Sequence, residues 1–269
     1  MTTDQSAHVV FVGAGPGAVD LLTVRAAREL ERAEVVLHDA LGCDAVLALC
    51  LQATQVPVGK RAGGVSTEQA FINRRLVTEA LTGRRIVRLK GGDPTIFGRL
   101  DEEISALQNA GVTYEIVPGI TAASAAAAHA GVPLTRRGMA RSVTLATPAV
   151  ERGADRSAQW LNQCDPLGTS VIYMAGRELR ATALSLIKRG YPGDTGVKIA
   201  RAVSTAAQRI VSTSLGELAL PVHPEHHLDH HGPCVVLVGN AIVGGFSDPT
   251  SVLPEQLPAC HGQAALPLV

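Results

Sequence analysis

Residues 90–99 read KGGDPTIFGR, and they directly follow the apolar run IVRL. That run predicts a buried strand, and a helical pattern begins after the segment. Gly91 and Gly92 therefore stand at the end of a strand, where the missing Cβ atoms let a ligand approach the backbone. Asp93 adds a carboxylate next to Pro94, whose nitrogen cannot donate a hydrogen bond. The segment predicts a tight turn from strand to helix that is suited to ligand binding.

A second glycine loop stands in the same position relative to another predicted strand. Residues 13–17 read GAGPG and follow the apolar run at 8–12. The carboxyl ends of parallel strands lie at one edge of a sheet, and ligands of open α/β sheets bind there. The two loops therefore predict one ligand-binding crevice.

Strand and helix patterns alternate along the chain, which predicts an α/β fold with mainly parallel pairing in the first half. The predicted strands are 8–12, 34–38, 55–58, 86–89, 114–117, 142–146, 170–174, 197–203, 208–212 and 234–238. The predicted helices are 20–33, 67–82, 100–110, 121–130 and 178–189. We expect Asp20 to be the N-cap of the first helix. We place a domain boundary near Pro118, which gives α/β domains at 8–118 and 119–246 and a loose tail at 247–269.

The composition excludes partners that need a strongly charged surface. Lysine and arginine together number 24, as do aspartate and glutamate, so no net charge favours nucleic acid or an anionic membrane. The five cysteines form no Cys-x-x-Cys pair, which is typical of reduced thiols. Residues 1–7 lack the apolar core of a signal peptide, and no stretch has the roughly 18 apolar residues of a membrane span. We expect a cytoplasmic protein that binds neither nucleic acid nor membranes.

The first glycine loop also matches the dinucleotide-binding fingerprint. Gly13, Gly15 and Ala18 have the required spacing, and Asp39 follows the second predicted strand, where a ribose-binding acid belongs. That fingerprint needs a helix that begins inside the glycine run, whereas the helical pattern here begins only near Asp20. An NAD-dependent oxidoreductase is the alternative that this motif leaves open.

A longer series of motifs, over about residues 8–243, resembles the tetrapyrrole methylase family. The series is VGAGPG at 12–17, Asp39 with Leu41, VGKRAG at 58–63, RLKGGDPTIFGR at 88–99, VPGITA at 117–122, GVPLTRR at 131–137, Tyr173 with Met174, and Thr205 with Gln208 and Arg209. The resemblance implies C-methylation of uroporphyrinogen III to precorrin-2 by S-adenosylmethionine, on the route to sirohaem or cobalamin. Another C-methyltransferase of the corrinoid pathway and a non-catalytic binding protein are the alternatives within this resemblance.

The resemblance also implies where the cofactor binds. The family holds S-adenosylmethionine in a cleft between two α/β domains, releases S-adenosyl-L-homocysteine, and usually forms a homodimer. The matching cofactor-binding positions are Pro16, Gly91, Gly92, Asp93, Ile96, Thr121, Ala122, Met174 and Val203. Thr121 is equally suited to cap the helix predicted at 121–130.

Catalytic and substrate-binding roles follow from the same resemblance. Asp39 matches the family's proposed general base and Lys60 its proposed proton donor, although a loop lysine is also commonly just solvated. Uroporphyrinogen is a polycarboxylate, so guanidinium groups are its expected partners. The candidates are Arg99, which closes the glycine loop and is counted with the catalytic residues, and Arg61, Arg136 and Arg137. Arg136 and Arg137 also suit a surface pair.

Some positions depart from the family pattern where the macrocycle would lie. Thr95 replaces an aromatic residue, Leu100 and Asp101 replace a glycine pair, Pro148 replaces a glycine, and Arg136 replaces a histidine. We therefore hypothesise that substrate affinity, the second methylation or the identity of the tetrapyrrole has changed, while the methyl-donor site is intact.

A histidine-rich stretch lies outside the family pattern. Its members are His223, His226, His227, His230 and His231. Spacings of three and four suit a metal site on a helix, whereas the prolines around the stretch favour a loop between strands. We assign no metal to it.

Overall fold

The computed structural model describes residues 7–39, 44–59, 69–148, 159–221 and 232–244. The first sheet consists of β1 His8–Gly13, β2 Val35–His38, β3 Thr54–Pro57, β4 Ile86–Lys90 and β5 Thr113–Val117, in the order β3-β2-β4-β1-β5. Every neighbouring pair in this sheet is parallel, which confirms the predicted pairing of the first half. All five strands therefore end at the same edge.

Helices connect the strands of the first sheet. They are α1 Val24–Arg32, α2 Asp44–Leu47, α3 Gln69–Ala80 and α4 Leu100–Asn109. The prediction that Asp20 caps α1 was wrong, because Val19–Leu21 forms a separate 3₁₀ turn. Thr23 is the N-cap instead, and its hydroxyl accepts a hydrogen bond from the Ala26 amide at 3.1 Å. A threonine at that position satisfies an amide that the helix itself leaves unpaired.

The second sheet is mixed. It consists of β6 Val143–Ala146, β7 Thr169–Tyr173, β8 Gly196–Arg201, β9 Arg209–Ser214 and β10 Cys234–Val238, in the order β6-β7-β10-β8-β9. Only β6 and β7 are parallel; β10 is antiparallel to both β7 and β8, and β8 is antiparallel to β9. The five strands predicted for this half are all present. The change from one sheet to the other falls between β5 and β6, and the domain boundary near Pro118 stays a prediction.

Three α-helices in the described part of the chain accompany the second sheet. They are α5 Ala122–His129, α6 Leu179–Lys188 and α7 Leu215–Ala219. Helix α7 was not predicted from the sequence, although Ser214 and Glu217 carry the signature of a capping box. The Ser214 hydroxyl accepts from the Glu217 amide at 3.2 Å, and the Glu217 carboxylate accepts from the Ser214 amide at 3.2 Å.

Apolar side chains fill both faces of each sheet. On the first sheet, Val12 and Leu89 pack with Leu30 of α1, whereas Phe11 and Leu37 pack on the side of α3 and α4. This division follows from the alternation of side chains along a strand. On the second sheet, the alanines of α5 share one cluster with β7, β8 and β10, and α6 and α7 belong to the cluster on the other face.

Two sequence predictions concern the cysteines and the membrane. The described cysteines Cys50, Cys164 and Cys234 are buried, and Cys50 and Cys164 are free thiols. Burial raises the pKa of the Cys50 and Cys164 thiols, so both favour the neutral form. Among the described residues, no helix is long and apolar enough to cross a membrane.

Candidate active site

The two predicted glycine loops are hydrogen-bonded to each other. The Ala14 amide donates to the Lys90 carbonyl at 2.7 Å. Gly15 and Gly92 exchange two backbone hydrogen bonds of 3.1 and 2.7 Å. The loops after β1 and β4 therefore form one surface at the carboxyl edge of the first sheet. A Cβ placed on Gly92 would meet nothing within 4 Å, so the space beside this loop is open.

A third glycine completes a close junction. A Cβ placed on Gly119 would overlap the carbonyl oxygen of Gly92 and come within 2.8 Å of the Gly13 Cα. A Cβ placed on Gly13 would come within 2.6 Å of the Gly119 Cα. Only residues without a side chain fit here, because the backbones after β1, β4 and β5 pack directly against one another.

Replacing Gly119 by alanine is expected to lower the free energy of unfolding by about 1–3 kcal/mol, as overpacking of a rigid site does. Urea unfolding measures the change. The matched control is Gly193→Ala, where an added Cβ has its nearest contact at an ordinary 3.8 Å. Equal stabilities of the two variants would contradict the close backbone contact at Gly119.

Asp93 fastens this junction with both of its carboxylate oxygens. Oδ2 accepts a hydrogen bond from the Gly119 amide at 3.0 Å. Oδ1 accepts from the Thr95 amide at 2.8 Å and from the Thr95 hydroxyl at 2.5 Å. Asp93 thus joins the loop after β4 to the segment after β5. Thr95, which the sequence analysis noted only as a departure, holds the carboxylate in this orientation. Contact of Asp93 with a cofactor stays a prediction.

A buried group of charges lies beneath the same loop. Glu103 of α4 accepts hydrogen bonds from Arg88 Nε at 2.8 Å and Arg88 Nη2 at 3.0 Å. Its Oε1 also accepts from Lys90 Nζ at 2.7 Å. The side chains of Arg88 and Glu103 are each 1% exposed and that of Lys90 is 4% exposed. The Glu103 carboxylate is therefore shared by two buried cations.

Asp39 is the one member of this charge group that reaches solvent. Its side chain is 32% exposed, and Oδ1 accepts a hydrogen bond from Arg88 Nη2 at 2.6 Å. Burial disfavours the charged form of Arg88, but Asp39 and Glu103 outweigh this effect and raise the pKa of Arg88. Burial, followed by the charge of Arg88, lowers the pKa of Lys90. The predicted general base is thus held in place by an arginine that is itself fixed by Glu103.

The roles of Arg88, Lys90 and Glu103 were not predicted from the sequence. The signal was present, because Arg88 and Lys90 interrupt the apolar strand β4 at alternate positions and so point to one face. Two cations on a buried strand require acidic partners. Which acidic residue pairs with these cations depends on how α4 packs, and no local sequence pattern shows that packing.

Aromatic side chains connect the glycine loop to the second sheet. The rings of Phe97 and Tyr173 have centroids 5.1 Å apart with an interplanar angle of 58°. The Tyr173 hydroxyl lies 2.5 Å from the hydroxyl of Thr121. Two predicted cofactor residues are therefore close to this contact, since Thr121 touches Tyr173 and Met174 follows it in sequence.

Strained backbone is concentrated around the same loops. The non-glycine residues with positive φ in the described part of the chain are Phe97, Arg99, Met174, Ala202 and Ser204. All follow the ends of β4, β7 or β8. Such residues cost about 1–3 kcal/mol each and cluster at binding and catalytic sites. This strain indicates a functional site independently of the sequence motifs.

The first glycine loop contacts the strained segment after β8. A Cβ placed on Gly17 would come within 2.7 Å of Thr205 Cγ2 and 3.3 Å of the Val203 carbonyl oxygen. Pro16 and Val203, both predicted cofactor residues, therefore belong to segments that touch. The structure brings the predicted cofactor residues into neighbouring loops, and their contact with a ligand stays a prediction.

The predicted arginines are distributed differently. Arg99 donates from Nε and Nη2 to the Glu102 carboxylate at 2.6 and 2.9 Å, and both side chains are partly exposed. Arg136 lies in a turn closed by hydrogen bonds with Ala140, and Arg137 is exposed in the same turn. Lys60, Arg61 and the histidines at 223–231 lie outside the described residues. Within the described part of the chain, no group of three acidic, histidine or cysteine side chains forms a candidate metal site.

Glycine loops at the carboxyl edge of a parallel sheet, next to a partly exposed carboxylate and backbone strain, are typical of an α/β enzyme that binds its ligand at that edge. The sequence model of the tetrapyrrole (corrin/porphyrin) methylases matches residues 8–219. This chain therefore belongs to the tetrapyrrole methylase family and is a methyltransferase, as its motifs predicted. The alternative of an NAD-dependent oxidoreductase, which the dinucleotide fingerprint left open, is wrong. That fingerprint needs a helix that begins inside the glycine run, whereas α1 begins at Val24, well beyond it.

Related proteins are known by sequence and by structure. The siroheme synthase of Pseudomonas fluorescens (strain SBW25) is 43% identical over 237 residues, which are 88% of this chain and 50% of that protein. The siroheme synthase of Escherichia coli (strain K12 / DH10B) is 40% identical over 243 residues, or 89% of this chain and 51% of that protein. The chain thus spans about half the length of these relatives.

Solved structures cover the chain more evenly. The uroporphyrin III C-methyl transferase from Thermus thermophilus superimposes with a TM-score of 0.73 at 34% identity, covering 87% of this chain and 98% of that one. The same enzyme complexed with S-adenyl homocysteine gives a TM-score of 0.71 over equal coverage. A cobalt precorrin-4 methyltransferase gives a TM-score of 0.76 at 26% identity, covering 88% of this chain and 96% of that one. These similarities confirm the predicted α/β fold.

Proposed function

We propose that this protein methylates ring carbons of uroporphyrinogen III with S-adenosylmethionine and forms precorrin-2, a precursor of sirohaem and cobalamin. The observation that carries the proposal is the similarity to the T. thermophilus uroporphyrin III C-methyl transferase, which extends over 98% of that enzyme. That enzyme also has a structure with S-adenyl homocysteine, which supports S-adenosylmethionine as the methyl donor. The siroheme synthases support the same pathway, although this chain covers only about half of their length.

The residues of the described loops fit a methyl donor. Gly92 leaves open space beside the backbone after β4, and Pro16, Thr121, Met174 and Val203 lie on adjoining segments. S-adenosylmethionine supplies an electrophilic methyl group on a sulfonium. Two α/β domains, at 8–118 and 119–246, would hold it between them.

The protein has two chemical tasks in this reaction. It must align the attacking pyrrole carbon with the methyl group, and such alignment contributes about 7–11 kcal/mol to lowering a barrier. It must also remove a proton from the macrocycle as the new carbon–carbon bond forms. Asp39 is suited to accept this proton, because its carboxylate is partly exposed at the carboxyl edge and is oriented by Arg88. We assign substrate binding to Arg61, Arg99, Arg136 and Arg137, and proton donation to Lys60.

Anaerobic incubation with uroporphyrinogen III and S-adenosylmethionine, followed by mass spectrometry of the oxidised products, tests the function. We expect a product with two additional methyl groups. A single methyl group would support the hypothesis that the substitutions around Thr95 and Leu100 changed the macrocycle pocket. No transfer, despite binding of S-adenosylhomocysteine, would contradict uroporphyrinogen III as the substrate.

Another corrinoid-pathway substrate is the second candidate. It is favoured by the TM-score of 0.76 with the cobalt precorrin-4 methyltransferase, which is as high as those of the uroporphyrin III enzymes. Methyl transfer to a cobalt-containing precorrin, but not to uroporphyrinogen III, would select this candidate.

We further propose that the protein is a cytoplasmic homodimer, as the family resemblance implies. The balanced charge and the free, buried thiols of Cys50 and Cys164 are compatible with that compartment. Light scattering should then give about twice the chain mass of 28.0 kDa.

A further inference from the structure

Tyr173, the last residue of β7, replaces Thr121 in capping α5. Thr121 occupies the N-cap position, but its hydroxyl accepts no hydrogen bond from the first turn. An N-cap hydroxyl normally accepts from the second or third amide of the helix. Here the second amide, that of Ala123, donates instead to the Tyr173 hydroxyl at 3.2 Å.

The remaining hydrogen bond of Tyr173 joins two hydroxyls, either of which can donate, and its direction follows from the other partners of the phenol. Burial is the main cause that raises the pKa of Tyr173, so the phenol keeps its proton at neutral pH. Its oxygen already accepts from Ala123, and its proton needs an acceptor. Among the described residues, the acceptor that its contacts supply is the Thr121 hydroxyl at 2.5 Å. We assign Tyr173 as the donor to Thr121, because the opposite direction would leave the proton of the half-buried phenol without an acceptor among the described residues.

This direction determines what the Thr121 hydroxyl can do. A hydroxyl carries one proton, and the bond from Tyr173 occupies a lone pair rather than that proton. The Thr121 proton is then available to a ligand. The Phe97 ring, packed against the Tyr173 ring, keeps the phenol in place from the side of the glycine loop.

We propose that Tyr173 is a positioning residue that caps α5 in place of Thr121 and so fixes the Thr121 hydroxyl as a hydrogen-bond donor to the methyl donor. The inference rests on the proposed function, because it takes S-adenosylmethionine as the ligand. It identifies a residue outside the predicted cofactor set whose hydroxyl acts through its neighbour.

Tyr173→Phe tests the proposal with little change in packing, since the ring and its contact with Phe97 are retained. In this variant the Thr121 hydroxyl can turn to the Ala123 amide and become an ordinary N-cap. The Kd for S-adenosylhomocysteine, measured by calorimetry, should rise about 3- to 10-fold, the factor that corresponds to one net hydrogen bond. The matched control is Tyr191→Phe, which removes a buried hydroxyl bonded to Ser170. Ser170 lies on β7, as Tyr173 does, and this variant should leave the Kd unchanged.

A double-mutant cycle separates positioning from a general structural role. Thr121→Val should weaken binding by a similar factor, and adding Tyr173→Phe to it should weaken binding no further. Wild-type affinity in Tyr173→Phe, or an equal loss in both backgrounds, would overturn the inference. Failure of the proposed function has a different signature. In that case the wild type and the cycle behave as expected towards S-adenosylhomocysteine, but no methyl group reaches uroporphyrinogen III.

Discussion

Asp39→Asn is expected to lower the rate of methyl transfer by about 10²–10⁴-fold, the usual contribution of a well-placed general base. The amide cannot take up the proton that leaves the macrocycle. It can still offer an oxygen to Arg88 Nη2, which lies 2.6 Å from Oδ1 in the native protein. The loss should therefore appear in the chemical step and not in folding. Single-turnover measurement with saturating S-adenosylmethionine and uroporphyrinogen III gives that step directly.

The control for this variant is Asp194→Asn, which makes the same change at an exposed carboxylate in the loop before β8. Its rate should equal that of the wild type. Calorimetry should show that Asp39→Asn binds S-adenosylhomocysteine normally, because Asp39 is not among the predicted cofactor residues. A single-turnover rate within threefold of the wild type would rule out Asp39 as the base.

Glu103→Gln should lower the free energy of unfolding by about 3–5 kcal/mol, as expected when one member of a buried ion pair loses its charge. Glu103 accepts three hydrogen bonds from Arg88 and Lys90, both of which are buried. In the variant, the partly exposed Asp39 is the only acid left in this group. Urea unfolding at neutral pH measures the loss.

The adjacent residue provides a matched control. Glu102→Gln makes the same change one position earlier on α4, in an ion pair with Arg99 whose side chains are 47% and 39% exposed. Such surface pairs contribute about 0–1 kcal/mol. Similar losses for the two glutamines would contradict the buried role of Glu103. Glu103 holds Arg88, and Arg88 orients Asp39. Replacement of Glu103 should therefore also slow methyl transfer when the rate is measured without urea on the folded variant.

The fold could be predicted well where a local pattern determines the structure. Apolar runs bounded by glycine or proline located the strands of both sheets, because a buried strand needs little more than that pattern. The start of α1 was misplaced because Asp20 and Thr23 are both good N-caps. The antiparallel pairing of β10 with β7 and β8 was not predicted, since the direction of a strand depends on the path of the connections.

The candidate site was predictable from motifs only in part. Glycine loops can be read from sequence because close backbone contact requires glycine. Tyr173 was quoted only as part of a motif. Its role depends on a hydrogen bond to Ala123, which lies 50 residues away in sequence. Contacts of this kind are set by tertiary packing, so the sequence identified the loops and the structure identified what holds them.

The hydrogen bond between Asp93 and the Gly119 amide affects how the two sheets can move relative to each other. The chain leaves the first sheet after Val117, yet Asp93 still holds the Gly119 amide at 3.0 Å. While this hydrogen bond holds, a rotation of the second sheet relative to the first would turn at residues beyond Gly119 and not at the proline where the strand ends.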